Sequence, residues 1–349
     1  MEVEIQRINQ PYSIVRQFRD IEDAVIVENI TNQNNITSIV QPQEKESPFI
    51  GSNTSLAKLS DLRQDFIPVF AKDNETTISH HEFIEAIYTA ISTLFPRDTM
   101  SGVNVRVSHK ICGRIPSAIG KPVKDLEEWE KTQYFERMAF SIDITSVRDS
   151  INGNELVLSV VGVRAYNHTN LYGRKNLETF KLGIGFMNQV CTNMCVSTDG
   201  LALELRVSNM RDLQIKALEL FQNYDAMTHI NTMKQLPQMS LSESQFATFI
   251  GRTRLYQFLP KNEQKQLPLL QFGDSQLNMV VKDYYHDKRF CKNDEGSLNL
   301  WNLYNLFTNA NRSSSYIDTF LDRGNNATEF INGISAALNG DNRYRWFIE

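Results

Sequence analysis

Asn152-Gly153-Asn154 lies between two strand-like segments, Met138 to Val147 and Glu155 to Tyr166. Asn and Gly both tolerate positive φ, so the dipeptide closes a tight hairpin and commits the middle of the chain to antiparallel pairing. Further strands are predicted at Val103–Val107, Thr179–Phe186 and Leu201–Val207, the last after an Asp199-Gly200 turn.

Helices flank these strands. Ser79 with Glu82 three residues on makes a capping box, in which each side chain satisfies a free N–H of the other end. Phe83, Ile84, Ile87, Ala90, Ile91 and Leu94 follow at helical spacing, and Pro96 stops the helix. The last 140 residues read as helical. Segments are predicted at Asp212–Tyr224, after the Ser242/Gln245 cap, and at Gln276–Tyr285, Leu298–Ala310, Ser315–Leu321 and Ala327–Leu338. Strands followed by a run of helices predict an α+β fold, an antiparallel hairpin-built sheet followed by a helical C-terminal half. Residues 48–349 read as one domain, sheet-rich over 97–207 and helical over 208–349. Residues 1–47 read as a flexible arm, because 28–47 are polar and rich in Asn, Gln and Ser.

Apolar residues at 41% and charged residues at 22% are ordinary globular composition. No apolar run approaches the roughly 18 residues of a membrane span. Residues 1–20 lack a basic start followed by an apolar block, so no signal peptide, no membrane contact and a cytoplasmic location are expected. Cys112, Cys191, Cys195 and Cys291 are too few for a disulfide framework and are expected as reduced thiols. Cys191 and Cys195 have the wrong spacing for a paired-cysteine zinc site.

Several motifs start and do not finish. His81-Glu82-Phe83-Ile84-Glu85 has Glu85 where a zinc-protease helix needs its second histidine. Gly183-Ile184-Gly185 lacks the third glycine of a dinucleotide fingerprint and reads as a strand end. There is no phosphate-binding P-loop and no G-x-S-x-G elbow, so no cofactor is expected. Asp283 and Asp287 share a helix face at i, i+4 and could serve a hard cation, or simply solvate a helix end.

Charge points elsewhere. The net charge is −5, yet residues 1–80 hold 12 acidic and 7 basic residues while the remainder holds 29 of each. From Arg97 to Lys124 the bases are Arg97, Arg106, Lys110, Arg114, Lys121 and Lys124 against the single acid Asp98, with His109 adjacent. Trp129, Tyr134 and Phe135 follow closely. Cations track phosphates and rings stack on bases, so this pattern suits a single-strand binder. The plainer reading is a basic loop paired with Asp125, Glu127, Glu128 and Glu130. Arg164, with Arg174, Lys175 and Lys181, forms a second basic stretch.

Near the C-terminus, Leu300, Trp301, Leu303, Tyr304 and Phe307 line one helix face, with Asn299, Asn302, Asn305 and Asn309 as a neighbouring stripe. Asparagine is a poor interior helix residue. Four together predict an amide network fastening this helix to the sheet, or a ligand site.

Motifs through the chain resemble one family. They include Pro68-Val69-Phe70-Ala71-Lys72-Asp73-Asn74-Glu75, Arg106-Val107-Ser108-His109, Gly113-Arg114-Ile115-Pro116 and Tyr134-Phe135-Glu136-Arg137-Met138-Ala139-Phe140. Gly162-Val163-Arg164-Ala165-Tyr166, Val190-Cys191-Thr192-Asn193, Thr198-Asp199-Gly200 and Gly251-Arg252-Thr253-Arg254-Leu255-Tyr256 continue the series. Leu300-Trp301-Asn302-Leu303-Tyr304-Asn305-Leu306-Phe307-Thr308, Ser314-Ser315-Tyr316-Ile317-Asp318 and Trp346-Phe347 complete it. From about residue 48 onward the chain resembles the domain of unknown function 3871 family. The Cys191-Thr192-Asn193 turn and the Trp301–Asn305 helix also look like the phage- and plasmid-like domain of unknown function 932 group. The resemblance implies a bacterial mobile-element setting and carries no catalytic residue. The functional expectation is an accessory protein that binds or anneals single-stranded DNA, with a homo-oligomer compatible with annealing. The alternatives are a protein-interaction module that inhibits a host system, or a metal-dependent enzyme acting on nucleic acid.

Overall fold

The computed structural model describes residues 48–63, 77–114, 116–166 and 177–349. The 1–47 arm, the Pro68–Glu75 motif, and Arg174 and Lys175 lie outside these residues. Strands β1 (Ser55–Ala57), β2 (Asn104–Val107), β5 (Arg137–Ile151), β6 (Asn154–Ala165), β7 (Glu178–Asn188) and β8 (Met194–Val207) form one six-stranded sheet in the order β1-β2-β5-β6-β7-β8. Every neighbouring pair is antiparallel. Among the described residues, strands β3 (Lys110–Arg114) and β4 (Lys131–Phe135) pair only with each other, as an arm inserted between β2 and β5.

The predicted hairpin is present. Ile151 pairs with Asn154, and Asn152 and Gly153 have φ of 48° and 76°. The Ser79/Glu82 capping box opens α2 (His80–Leu94), which follows the short α1 (Leu59–Arg63). Helix α2 and α3 (Met210–Asn223) cover one face of the sheet. The Phe83 ring sits 5.2 Å from Phe140 and 4.6 Å from Phe180, anchoring α2 over the centre of the sheet. The opposite face receives Phe49, Ile50, Ile317, Phe320 and Leu321.

The helical half continues with α4 (Ala226–Gln235), α5 (Glu243–Tyr256), α6 (Lys261–Gln264), α7 (Asp274–His286), α8 (Leu300–Ser314) and α9 (Phe320–Leu338). Short β9 (Ser240–Leu241) and β10 (Leu298–Asn299) pair beside them. The buried core runs without a break from Phe140, Leu182 and Ile184 in the sheet to Phe249, Trp301, Phe307 and Phe330 among the helices. Among the described residues no helix is long and apolar enough to cross a membrane.

Three expectations about elements need correction. Asp199-Gly200 is not a turn, because β8 begins at Met194 and runs through it. The turn lies earlier, at residues 189–193, where Thr192 takes a φ of 57°. Two steps along β7, Gly185 to Gly183, face five along β8, Val196 to Leu201, so the surplus backbone bulges out. A Cβ on Gly200 would sit 2.3 Å from the Ile184 carbonyl oxygen, so only glycine closes this bulge without displacing the backbone. The helices expected at Ser315–Leu321 and Ala327–Leu338 are a 3-10 turn, Ile317–Thr319, running into the single helix α9. Helix α4 was not expected at all.

Three buried histidines tie stability to pH. Burial, aided by the Arg164 charge, pushes His80 down to about 3; burial, aided by the Arg63 charge, pushes His81 down to about 4; and burial pushes His229 down to about 4. The unfolded chain takes up these protons near 6.5 while the folded one resists, so stability held above pH 6.5 is lost on acidification. Between pH 6.5 and 5.0 each histidine should remove about 2 kcal/mol, before most carboxylates titrate. Urea midpoints across that window check this, and His229→Gln should flatten the slope by roughly a third.

Candidate functional site

The continuous basic stretch of the sequence is divided among three places. Arg97 follows α2 and is exposed. Its neighbour Asp98 accepts a hydrogen bond from the Ser146 hydroxyl, deep along β5. The arm joins β5 at Arg137, and the strand from Ser146 back to Arg137 spans roughly 30 Å at about 3.3 Å per residue. Arg97 therefore does not share a surface with the arm.

Arg106 and Arg164 point inward. Arg106 is 8% exposed, and its guanidinium donates to the Thr54 hydroxyl at 3.2 Å and the Thr54 carbonyl at 3.1 Å. This joins β2 to the chain leading into β1. Arg164 is 1% exposed. It pairs with Glu178, donates to the Ile78 carbonyl, and lies 4.6 Å and 4.2 Å from the Tyr166 and Phe180 ring centroids. Both are structural cations, removed from any surface a phosphate could reach. Lys181 of the second basic stretch is also engaged, with Asp322 at 2.5 Å.

The remaining candidates lie on the arm. Lys110 and Phe135 are direct cross-strand partners, which places the ammonium 4.8 Å from the ring centroid. Arg114 donates to the Lys121 carbonyl, and Lys121 binds Glu130 at 2.6 Å. The Lys121 hydrogen bond holds the Glu130 carboxyl below the usual carboxylate range. Lys131 and Glu128 pair at 2.5 Å. His109 is exposed, 3.9 Å from Glu136. Lys124 is exposed and makes no ion pair among the described residues. The plainer reading of the sequence is thus partly realised, since downstream glutamates hold Lys121 and Lys131 and give the arm its shape.

The rings expected as stacking platforms are mostly committed. Tyr134 is buried, 5.7 Å edge-on to Tyr166, which in turn lies 4.3 Å from His80. Phe135 is half-buried with Lys110 over it, and the Trp129 side chain lies outside what the structure describes. At the tip, Ile119 is 75% and Val123 69% exposed, a feature that the charge pattern did not announce.

The other candidate chemistry is internally satisfied. His81 accepts from the Arg63 guanidinium at 2.6 Å. Asp283 accepts from the Asn309 amide at 3.1 Å, and Asp287 accepts from the backbone N–H groups of Arg289 and Phe290. Burial raises the Asp283 pKa above its ordinary value. Among the described residues no group of three or more His, Cys, Asp or Glu side chains could hold a metal ion. Cys195 is buried and Cys191 half-buried, and both are free thiols. Burial pushes the Cys191 thiol up to about 11.

The asparagine stripe is an amide clamp. Asn299 caps its own helix, and Asn302 donates to the Cys291 carbonyl. Asn305 receives the amides of Asn193 at 3.3 Å and Asn188 at 3.4 Å on its side-chain oxygen, and donates to the Trp301 carbonyl at 2.9 Å. Asn193 also reaches the Asn305 carbonyl at 3.1 Å. The turn between β7 and β8 is thereby bound to α8.

An α+β protein with a six-stranded antiparallel sheet, a projecting two-stranded arm and a clamped helical half is what the fold and its surfaces define. The chain belongs to the family described as "Domain of unknown function, B. Theta Gene description (DUF3871)", whose model matches residues 30–348. The match therefore starts earlier than the resemblance from residue 48 suggested. Neither the comparison with curated proteins nor that with solved structures gives a match.

The Arg164–Glu178 pair gives a direct test of the buried cations. Glu178→Ala strands a buried guanidinium and should cost about 3–5 kcal/mol, whereas Arg164→Met should cost clearly less. Urea unfolding of the two variants checks the order.

Proposed function

We propose that this protein is a nucleic-acid-associated accessory protein of a bacterial mobile element, contacting single-stranded DNA through its β3–β4 arm. The observation that carries the reading is the placement of Lys110, Arg114 and Lys124 on one narrow element that, among the described residues, pairs with no other strand. Lys110 and Lys124 make no ion pair among the described residues. An isolated two-stranded hairpin is marginal in water, so an exposed one gains from a partner laid along it.

The number of usable cations limits the strength of binding. Single strands contribute a salt slope of about −0.7 per phosphate contact, so three to four contacts give a slope between about −2 and −3. Binding by one copy is then weak, and several arms side by side would strengthen it. Fluorescence anisotropy with labelled single-stranded DNA should show that slope. Lys110→Glu with Lys124→Glu should abolish binding, while Arg97→Glu, roughly 30 Å away, should leave it intact. No binding at micromolar protein, a flat salt response, or equal loss in Arg97→Glu would contradict the proposal.

A second reading is favoured by Ile119 and Val123 at the tip of the arm. There the arm docks on a protein, as an inhibitor of a host system would. Ile119→Asp with Val123→Asp would then disturb that association without changing the anisotropy titration.

A further inference from the structure

The outward bulge of β8 carries Ser197 and Asp199 to the mouth of a cleft beside α4, α8 and α9. The cleft has a volume of about 140 Å³. Its inner wall is apolar, formed by Met233, Leu236, Ile331 and the Tyr304 ring, all buried. His229 also lines it and is only 5% exposed. Its Nδ1 lies 2.8 Å from the Tyr224 hydroxyl, and its Nε2 has no hydrogen-bond partner among the described residues. Burial keeps this imidazole neutral, with its pKa near 4. The Tyr224 hydroxyl stays protonated, because burial raises its pKa well above 10.

Asp199 is fixed at the entrance. One carboxylate oxygen accepts the Ser197 hydroxyl at 2.5 Å, and the other accepts the Asp225 backbone N–H at 2.8 Å. Asp225 caps α4, so the bulge and the helix start are tied together at the cleft mouth. Among the described residues, Asp199 is the only charged one lining the cleft, and no lysine or arginine joins it.

We propose that this cleft is a binding site for a small single-ring molecule bearing a cationic or N–H-donor head. The ring lies against Met233 and Ile331, and the head faces Asp199. The volume sets the size, since an apolar cavity of about 150 Å³ holds a benzene-sized guest. A nucleotide is too large. Charge sets the sign, because an anionic head would meet the Asp199 carboxylate with no cation to offset it. His229 lines the same cleft and its Nε2 has no partner among the described residues, so a guest donor or acceptor that reaches it would satisfy a buried polar atom. None of the arm residues takes part, so this site stands or falls separately from the single-strand reading.

Benzamidine and benzoate test it, as near-isosteric rings of opposite head charge. In calorimetric titration of the full chain, benzamidine should bind with Kd on the order of 0.1–1 mM, and benzoate at least about tenfold more weakly. Thr232→Trp, at the half-buried rim, should fill the cleft and abolish benzamidine binding. Asp199→Asn keeps an oxygen for the Asp225 N–H and removes the charge, so it should weaken benzamidine about tenfold and strengthen benzoate, narrowing the gap between the two probes. Absence of benzamidine binding at several millimolar, equal affinity for the two probes, or unchanged affinity in Asp199→Asn would each overturn the proposal.

Discussion

The contact between Asn305 and the β7–β8 turn is the buried polar joint that ties the helical half to the sheet within one continuous core. A buried amide left without a partner costs about 1–3 kcal/mol, and here the Asn188 and Asn193 side chains share one acceptor residue. The same corner gathers the described start of the chain. Arg312 donates to the Pro48 carbonyl at 3.1 Å, Thr192 does so at 3.2 Å, and the Gly51 N–H donates to the Arg312 carbonyl at 2.9 Å. Asn309 carries the linkage on to α7 through Asp283. One helix thereby holds the sheet, the opening segment and a neighbouring helix in register. Two of the motifs behind the family resemblance, Cys191-Thr192-Asn193 and Trp301–Asn305, are the two sides of this joint.

Much of the fold could be read from local chemistry. The Asn152-Gly153 hairpin and the Ser79/Glu82 and Ser242/Gln245 capping boxes work within a few residues of sequence, so their signals are complete in the chain itself. Helix α4 escaped because Ala226–Gln235 mixes Thr, Asn and His into a weak apolar stripe. Its one clear mark is Asp225, whose carboxylate accepts the Thr228 N–H. The β8 bulge escaped for another reason. Asp199-Gly200 carries turn chemistry, but long-range pairing with β7 overrode it and used glycine for close approach to the Ile184 carbonyl.

The site was less legible than the fold. A run of cations from Arg97 to Lys124 reads as one surface only if each side chain is free, and freedom is decided by partners distant in sequence. Arg106 finds Thr54, and Arg164 finds Glu178 and Ile78. Arg97 sits apart from the arm, because its neighbour Asp98 is held by Ser146, well along β5 from the arm. What survives is a narrower group on the arm, together with two exposed apolar residues at its tip. The cleft beside His229 could not have been read from sequence, because Asp199, His229 and Ile331 come together only through the bulge and the packing of α4 and α9.

A double-mutant cycle on Asn193→Ala and Asn305→Ala, read by urea unfolding, addresses the central joint most directly. If the amide clamp binds the sheet to the helical half, the two substitutions should be non-additive, with a coupling of about 1 kcal/mol or more. Costs that simply add would show that the two amides act independently, and would contradict this account of how the halves are held together.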